Sequence, residues 1–185
     1  MRVLFGGSFN PPTIAHKKII EALSEHFNEV IIVPNGDNYG RKQLDNYFHR
    51  KNMLKLMLNE FNNVIISDIE KNRTFVGTYQ TLRDLGHPVF ACGDDWIKTL
   101  HTWKNSDILL EENKFLIFTR ELNKNEILRY ISNDKNLSKY IDKFSILEID
   151  FPNVSSNNFR TNHDYSVLTN EVINYIKENN LYTED

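Results

Sequence analysis

Six short runs of aliphatic, β-branched and aromatic residues recur along this chain of 185 residues, and their order limits the folds it can adopt. They have the composition of buried strands and occupy residues 2–5, 30–33, 64–67, 89–91, 115–118 and 144–149. Segments with helical periodicity lie between most of them, at residues 15–27, 45–61, 78–85 and 125–131. Alternating strands and helices build right-handed βαβ units. We therefore predict an α/β fold, a Rossmann-like open parallel sheet with helices on both faces.

The composition indicates one domain that spans residues 1–185. Hydrophobic residues make up 40% of the chain, which is enough for one substantial core without disulfides. No internal repeat, linker or low-complexity tract divides it. The only cysteine, Cys92, ends an apolar run and is expected in a buried strand, not in a redox centre. Such cysteine usage fits a reducing compartment, so we expect a cytoplasmic protein.

The charge balance excludes one broad class of partner. The formal net charge is −3, whereas proteins that bind nucleic acid through its phosphates carry clustered, excess cations. The chain also contains no apolar stretch of the roughly 20 residues that a membrane span needs, and it starts directly with a strand. We expect neither a nucleic-acid partner nor a membrane. A homo-oligomer is compatible with the sequence, which does not determine the oligomeric state.

Ligands of open parallel sheets bind beyond the carboxyl ends of the strands. The loops that follow Phe5, Val33, Ala91 and Ile149 should therefore line one crevice. Polar and glycine-containing residues at 35–42 and 102–106 are further candidates for loops that face a ligand.

The loop after the first strand has the features of a phosphate site. Gly6 and Gly7 permit a tight turn, and Thr13 is suited to cap the helix that follows. The N-terminus of a helix attracts anions. Thr13 and His16 are three residues apart and so share one helix face, where both could reach the same phosphate group.

Two common phosphate loops do not match this one. The chain lacks the Gly-Lys-Ser/Thr of a P-loop and the Gly-x-Gly-x-x-Gly of a dinucleotide-binding fold. The second strand ends in Val33-Pro34-Asn35, without the acidic residue that a dehydrogenase uses for the ribose. An oxidoreductase is therefore disfavoured.

Two motifs at opposite ends of the chain resemble those of the nucleotidyltransferase superfamily. Gly7-Ser8-Phe9-Asn10-Pro11 with Thr13-Ile14-Ala15-His16 is similar to its Gly-Ser/Thr-Phe-Asp-Pro and His/Thr-x-Gly-His signatures. Val154-Ser155-Ser156-Asn157-Asn158-Phe159-Arg160 resembles its Ile-Ser-Ser-Thr-x-Ile-Arg motif, which lies at the start of a late helix.

The middle of the chain is most similar to the nicotinate-nucleotide adenylyltransferase family within that superfamily. The matching residues follow that family's order: Pro34-Asn35, Lys42-Gln43, His49-Arg50, Met53-Leu54, Thr78, Thr81-Leu82, Gly93-Asp94-Asp95, Thr102-Trp103, residues 172–176 and Asn180-Leu181-Tyr182. The resemblance covers nearly the whole chain and implies transfer of the adenylyl group of ATP to nicotinate mononucleotide, with release of pyrophosphate, in NAD biosynthesis.

The resemblance also implies roles for individual residues. His16 and Arg160 would be catalytic, with His16 donating to the α-phosphate and Asp95 accepting from the ribose hydroxyls of ATP. The mononucleotide would bind at Lys42 and Thr78, with its ring stacked on Trp103. The expected ATP-binding residues are Gly7, Ser8, Phe9, Thr13, His16, Gly93, Asp95, Ser155, Ser156 and Arg160.

Several of these residues have simpler structural interpretations. Ser155 and Ser156 by themselves would be helix caps, and Trp103 by itself would be a packing aromatic. Arg41 and Arg50 are alternatives to Lys42, and Trp96 is expected in the core. No cluster of side chains has metal-ligand spacing, so we expect no protein metal site and predict that Mg²⁺ arrives on the phosphates of ATP.

The motifs depart from the family pattern at four positions. Asn10 stands where Asp is usual, Ala15 where Gly is usual, Asn157 where Thr is usual, and Asp94 where a small residue is usual. Asn10 would remove a charge beside the phosphate loop, and Asp94 would add one beside the ribose. Three other functions remain open: adenylyl transfer to nicotinamide mononucleotide, adenylyl transfer to phosphopantetheine, and nucleotide binding by a non-catalytic regulator of the same fold.

Overall fold

Six parallel strands form one sheet in the computed structural model, which describes residues 1–37, 46–74, 76–150 and 152–183. The strands are β1 (Arg2–Gly7), β2 (Glu29–Pro34), β3 (Val64–Ile66), β4 (Val89–Gly93), β5 (Phe115–Phe118) and β6 (Phe144–Leu147). Their order across the sheet is β3-β2-β1-β4-β5-β6. Each predicted strand is present, with ends that shift by a few residues.

Seven α-helices connect and flank these strands among the described residues. They are α1 (Ile14–His26), α2 (Tyr47–Met57), α3 (Thr78–Asp84), α4 (Ser106–Glu112), α5 (Lys124–Asn133), α6 (Ser156–Asn162) and α7 (Asn170–Glu178). The four predicted helices are confirmed, although α2 is shorter than predicted. It begins after Asn46, whose side chain caps it by accepting from the backbone N–H of Phe48. Short 3₁₀ turns follow β4 at Asp94–Trp96 and Leu100–Thr102.

Both faces of the sheet are covered, because alternate strand residues point to opposite sides. Val3 and Phe5 belong to a core formed with α1, α2 and α7, whereas Leu4 belongs to a second core formed with α3, α4 and α5. The strands are therefore mostly apolar, with charged residues at the starts of β1 and β2, as expected for a parallel sheet between two helical layers. The prediction of a Rossmann-like α/β fold is confirmed. Cys92 is buried in the second core, at the position expected of it.

The strand order determines where a ligand fits. The chain passes from β1 outward to β2 and β3, and then returns to β4 and continues outward to β5 and β6 on the other side. The direction reverses between β1 and β4, so the loops at their carboxyl ends separate and leave a crevice. None of the helices in the described ranges combines the length and apolar character needed to cross a membrane.

Candidate active site

A cavity of about 830 Å³ opens at this reversal point, and most of the predicted site residues lie on its wall. They are Gly7, Ser8, Phe9, His16, Thr78, Gly93, Asp95, Trp103, Ser155, Ser156 and Arg160. Lys42 lies outside the described residues, as does its alternative Arg41. Thr13 is described but does not reach the wall. The loops after the first and fourth strands therefore share one crevice, as their position in the sheet predicts.

The two glycines that end β1 are followed by an aromatic ring that packs back against them. Phe9 is buried, and its ring lies 5.7 Å from that of Phe5 and 5.1 Å from the imidazole of His16. A Cβ atom on Gly7 would approach Cζ of Phe9 to 3.2 Å. Gly7 therefore leaves room for the Phe9 ring to fold back under the loop.

His16 is oriented by the residue that precedes its helix. Its Nδ1 accepts from the backbone N–H of Thr13 at 3.0 Å and lies 2.8 Å from the Thr13 hydroxyl. A ring nitrogen that accepts from an amide carries no proton, so the proton of the neutral ring is on Nε2. The Nε2–H group faces away from Thr13 and is the donor that a ligand in the cavity can use.

Thr13 differs from its expected role. Its exposed fraction is 0%, and it is the N-cap residue of α1. The prediction that Thr13 and His16 both face one phosphate is corrected, because Thr13 lies behind the imidazole and its hydroxyl is used there. Burial, with a smaller contribution from the nearby charge of Arg120, lowers the pKa of His16 to about 4. His16 is therefore a neutral hydrogen-bond donor at neutral pH.

The second motif is joined directly to the first loop. Ser155 caps α6, where its hydroxyl accepts from the backbone N–H of Asn158 at 3.3 Å. The Ser156 hydroxyl donates to the carbonyl of Pro11 at 2.7 Å, and Arg160 donates to the carbonyl of Asn10. These bonds cross 145 and 150 positions of the chain. Both serine hydroxyls are thus occupied within the protein, and Nη2 of Arg160 also donates to Oδ1 of Asn157 at 3.4 Å. The first N–H groups of α6 and the remaining N–H donors of Arg160 are left for a ligand.

Asn10, the first departure from the family pattern, is buried beneath this junction. Its side-chain oxygen accepts from the hydroxyl of Tyr182 at 2.7 Å. The C-terminal segment is thereby tied to the phosphate loop.

Arg50 is a buried arginine that connects the loops after β1 and β2. Its exposed fraction is 0%, and it donates to the carbonyls of Ser8 and Asn35, each at 2.7 Å, and to Asp37 at 3.0 Å. Arg50 is absent from the cavity wall, so it is not placed as a substitute for Lys42. It positions the two loops that form one side of the cavity.

The loop after β5 contributes Arg120, which sequence reasoning missed. Arg120 lines the cavity, and its Nη1 lies 3.7 Å from Oδ2 of Asp95. Burial raises the pKa of Asp95, and the charge of Arg120 partly opposes that effect. The sequence contained a signal for Arg120, because this residue follows the carboxyl end of a parallel strand, where ligand-binding loops are expected.

Asp94, by contrast, is buried and absent from the wall, so it does not place its charge beside the ribose site as predicted.

Two tryptophans form the opposite end of the cavity. Trp103 packs edge-to-face on Trp96, with ring centroids 5.3 Å apart, and both rings line the wall next to Thr78 and Lys104. The expectation that Trp96 lies in the core is wrong, because 44% of its surface is exposed. Lys104 was also missed, although it lies within the predicted loop at 102–106. Among the described residues it forms no ion pair or hydrogen bond.

A protein metal cage does not form in the part of the chain that the structure describes. No three side chains of His, Cys, Asp or Glu group there as ligands would. A metal ion at this site would need ligands from a bound molecule, such as the oxygens of phosphates.

Comparison with known proteins places this geometry in a family. Residues 4–162 match the model of the Cytidylyltransferase-like family. A protein of Acholeplasma laidlawii, named a probable nicotinate-nucleotide adenylyltransferase, is 37% identical, and the alignment covers 100% of this chain and 98% of that protein. A protein of the same name from Fusobacterium nucleatum is 32% identical, and the alignment covers 95% of each.

A solved structure has the same fold. The nicotinic acid mononucleotide adenylyltransferase of Plasmodium falciparum, complexed with NaAD, superposes with a TM-score of 0.80. The match covers 98% of this chain and 96% of that one at 24% identity. At this identity the likeness concerns the arrangement of strands and helices.

Proposed function

The chain belongs to the Cytidylyltransferase-like family, and within it to the nicotinate-nucleotide adenylyltransferases, and we propose that it transfers the adenylyl group of ATP to nicotinate mononucleotide. The products are nicotinate adenine dinucleotide and pyrophosphate. The observation that carries the proposal is that the two motifs meet on one cavity wall. His16 presents its Nε2–H to the cavity, and Arg160 donates to the carbonyl of Asn10, in the loop that precedes His16.

The reaction needs no covalent enzyme intermediate. An oxygen of the mononucleotide 5′-phosphate forms a bond to the α-phosphorus of ATP, and the bond from that phosphorus to the bridging oxygen breaks as pyrophosphate leaves. Phosphoryl-type transfer depends mainly on alignment and on stabilisation of charge. The neutral donors and cations of the cavity align the reactants and stabilise the developing charge, so no nucleophilic side chain is required.

His16 donates its Nε2–H to an α-phosphate oxygen as negative charge develops there. The hydrogen bond from Thr13 holds the tautomer that this donation requires. Arg160 and the first N–H groups of α6 bind the β- and γ-phosphates, since helix N-termini and guanidinium groups are good anion ligands. Because Ser155 and Ser156 use their hydroxyls within the protein, we assign phosphate binding to backbone N–H groups instead.

Asp95 accepts from the ribose hydroxyls of ATP, and the nearby charge of Arg120 favours the ionised carboxylate, against the burial that raises its pKa. ATP would carry Mg²⁺ on its phosphate oxygens, where the ion would neutralise part of their charge. Cys92 is buried and its pKa is raised by that burial, so it is an inert thiol suited to the reducing cytoplasm that we propose as the site of this reaction.

The choice between nicotinate and nicotinamide depends on the charge at the tryptophan end of the cavity. Lys104 lies on that wall with Trp103 and Thr78 and has no partner among the described residues. A cation there attracts the carboxylate of nicotinate and gains nothing from a neutral amide. This charge favours nicotinate mononucleotide over its nicotinamide counterpart. Trp103 disfavours phosphopantetheine, because that acceptor offers no ring to stack on the indole.

The test is an assay with ATP and each mononucleotide in turn, with detection of pyrophosphate. We expect turnover with nicotinate mononucleotide, and a loss of several hundredfold in kcat for His16→Ala. Near wild-type kcat in that variant would refute the role of His16. ATP that binds but is never converted would favour the non-catalytic regulator. Lys104→Met should reduce the preference for nicotinate over nicotinamide without abolishing turnover.

A further inference from the structure

Asp94 is the one of the four departures from the family motifs that does not line the cavity, and its side chain is buried in the protein. Its exposed fraction is 1%, and its Oδ2 accepts from three consecutive backbone N–H groups. The donors are those of Arg120 at 2.9 Å, Glu121 at 2.9 Å and Leu122 at 2.8 Å. Consecutive N–H groups that converge in this way form a nest for an anion, and here the anion is a side chain of the protein itself.

These bonds hold the loop that carries Arg120. Charge-assisted hydrogen bonds are stronger than neutral ones, and three of them on one oxygen restrain residues 120–122 relative to the end of β4. A small residue at position 94 would provide no such acceptor. The backbone of the loop would then lose its attachment on this side.

The guanidinium of Arg120 is placed by the same arrangement. Its Nη1 lies 3.7 Å from Oδ2 of Asp95, on the cavity wall. A Cβ atom on Gly93 would meet Cδ of Arg120 at 2.9 Å and would overlap the Asp95 carboxylate. Gly93 therefore allows both side chains to pass directly over the strand end. The backbone of Arg120 is held by Asp94, and its side chain is held between Gly93 and Asp95.

We propose that Asp94 is a positioning residue that fixes the turn at 120–122 and thereby sets the Arg120 guanidinium beside Asp95. In this position the side chains of Arg120 and Asp95 together bind ATP. Asp94 does not touch the nucleotide. It acts through Arg120, so removing Asp94 should weaken ATP binding only while Arg120 is present.

This inference rests on the proposed use of ATP, and its first measurement is independent of the acceptor. Calorimetric titration with a non-hydrolysable ATP analogue and Mg²⁺ should show at least tenfold weaker binding for Asp94→Ala and for Arg120→Ala. The double variant should bind no more than about twofold more weakly than Arg120→Ala alone, because the two residues act as one unit. A wild-type protein that binds the analogue but does not convert nicotinate mononucleotide would contradict the proposed function and leave this inference testable.

Matched variants separate positioning from a general loss of stability. Asp94→Asn keeps one acceptor oxygen for the nest and should restore binding to within about threefold of wild type. Asp134→Ala is the control: the Asp134 carboxylate accepts from the backbone N–H groups of Asn136 and Leu137, away from the cavity wall. Asp134→Ala should bind the ATP analogue with an affinity within twofold of wild type.

Kinetics supply a second readout. In Asp94→Ala the KM for ATP should rise about tenfold, while the KM for the mononucleotide changes by less than twofold. Equal rises in both KM values, additive losses in the double variant, or unchanged affinity in a folded Asp94→Ala protein would each overturn the proposal. If Asp94→Ala gives no soluble protein, Asp94→Ser replaces it in the same double-variant comparison, with the same expected lack of additivity.

Discussion

The lowered pKa of His16 makes the stability of this protein depend on pH in a way that one substitution can isolate. The pKa of an unfolded histidine is near 6.5, and burial lowers that of His16 to about 4 in the folded chain. Above pH 6.5 the ring is neutral in both states and contributes nothing. As the pH falls from 6.5 to 4, the unfolded chain takes up the proton first, so the free energy of unfolding decreases over this window. Below pH 4 both states are protonated and the loss is complete.

The magnitude follows from the two pKa values. Each tenfold change in a protonation equilibrium is worth about 1.4 kcal/mol, so the complete loss is about 3–4 kcal/mol. About 2 kcal/mol of it is reached at pH 5, and about 2–3 kcal/mol at pH 4.5. These are large fractions of the 5–15 kcal/mol typical of a folded domain.

The assay is urea unfolding of wild type and His16→Gln at pH 7.5, 6.5, 5.5 and 4.5. Glutamine has a similar size, offers an oxygen to the backbone N–H of Thr13, and does not titrate. Contributions from other ionisable groups cancel in the difference between the two proteins. Relative to the variant, wild type should lose about 2–3 kcal/mol of its free energy of unfolding between pH 7.5 and 4.5. A difference that stays constant within about 0.5 kcal/mol over this range would refute the reasoning.

Three further predictions concern the groups around the cavity. Arg50→Met should lower the free energy of unfolding by about 2–4 kcal/mol in urea titrations, because the carbonyls of Ser8 and Asn35 lose their donors; a loss under 1 kcal/mol would contradict this role. Tyr182→Phe should cost about 1 kcal/mol of stability by removing the hydrogen bond to Asn10, while kcat changes by less than threefold. A chelator should abolish pyrophosphate release, and excess Mg²⁺ should restore it; turnover that persists in the chelator would exclude the proposed role of the metal ion.

The fold was readable from the sequence because its signals are local. The apolar runs and the helical segments between them alternate, and this order permits few arrangements other than a parallel sheet between two helical layers. A glycine turn between a strand and a helix indicates phosphate binding for the same reason, since the backbone geometry depends on neighbouring residues. The resemblance to the family motifs predicted site roles for Gly7, His16, Asp95, Trp103 and Arg160, and the positions of the strand ends predicted one shared crevice. Arg120 could have been found by the same rule applied to the fifth strand.

The tertiary structure decided which atoms of those residues are available to a ligand. Thr13 lies three residues before His16 in the sequence, but only the folded loop shows that the Thr13 N–H is bonded to Nδ1 of His16 and so leaves Nε2–H for the cavity. The Ser156 hydroxyl is used on the carbonyl of Pro11, 145 positions away. Asp94 follows Gly93 directly, yet its carboxylate is turned onto the loop after β5. Each outcome depends on which of several donors and acceptors meet in space, and that selection is made by packing between elements far apart in the chain. A local pattern of residue types therefore does not predict which hydrogen-bond partners are chosen.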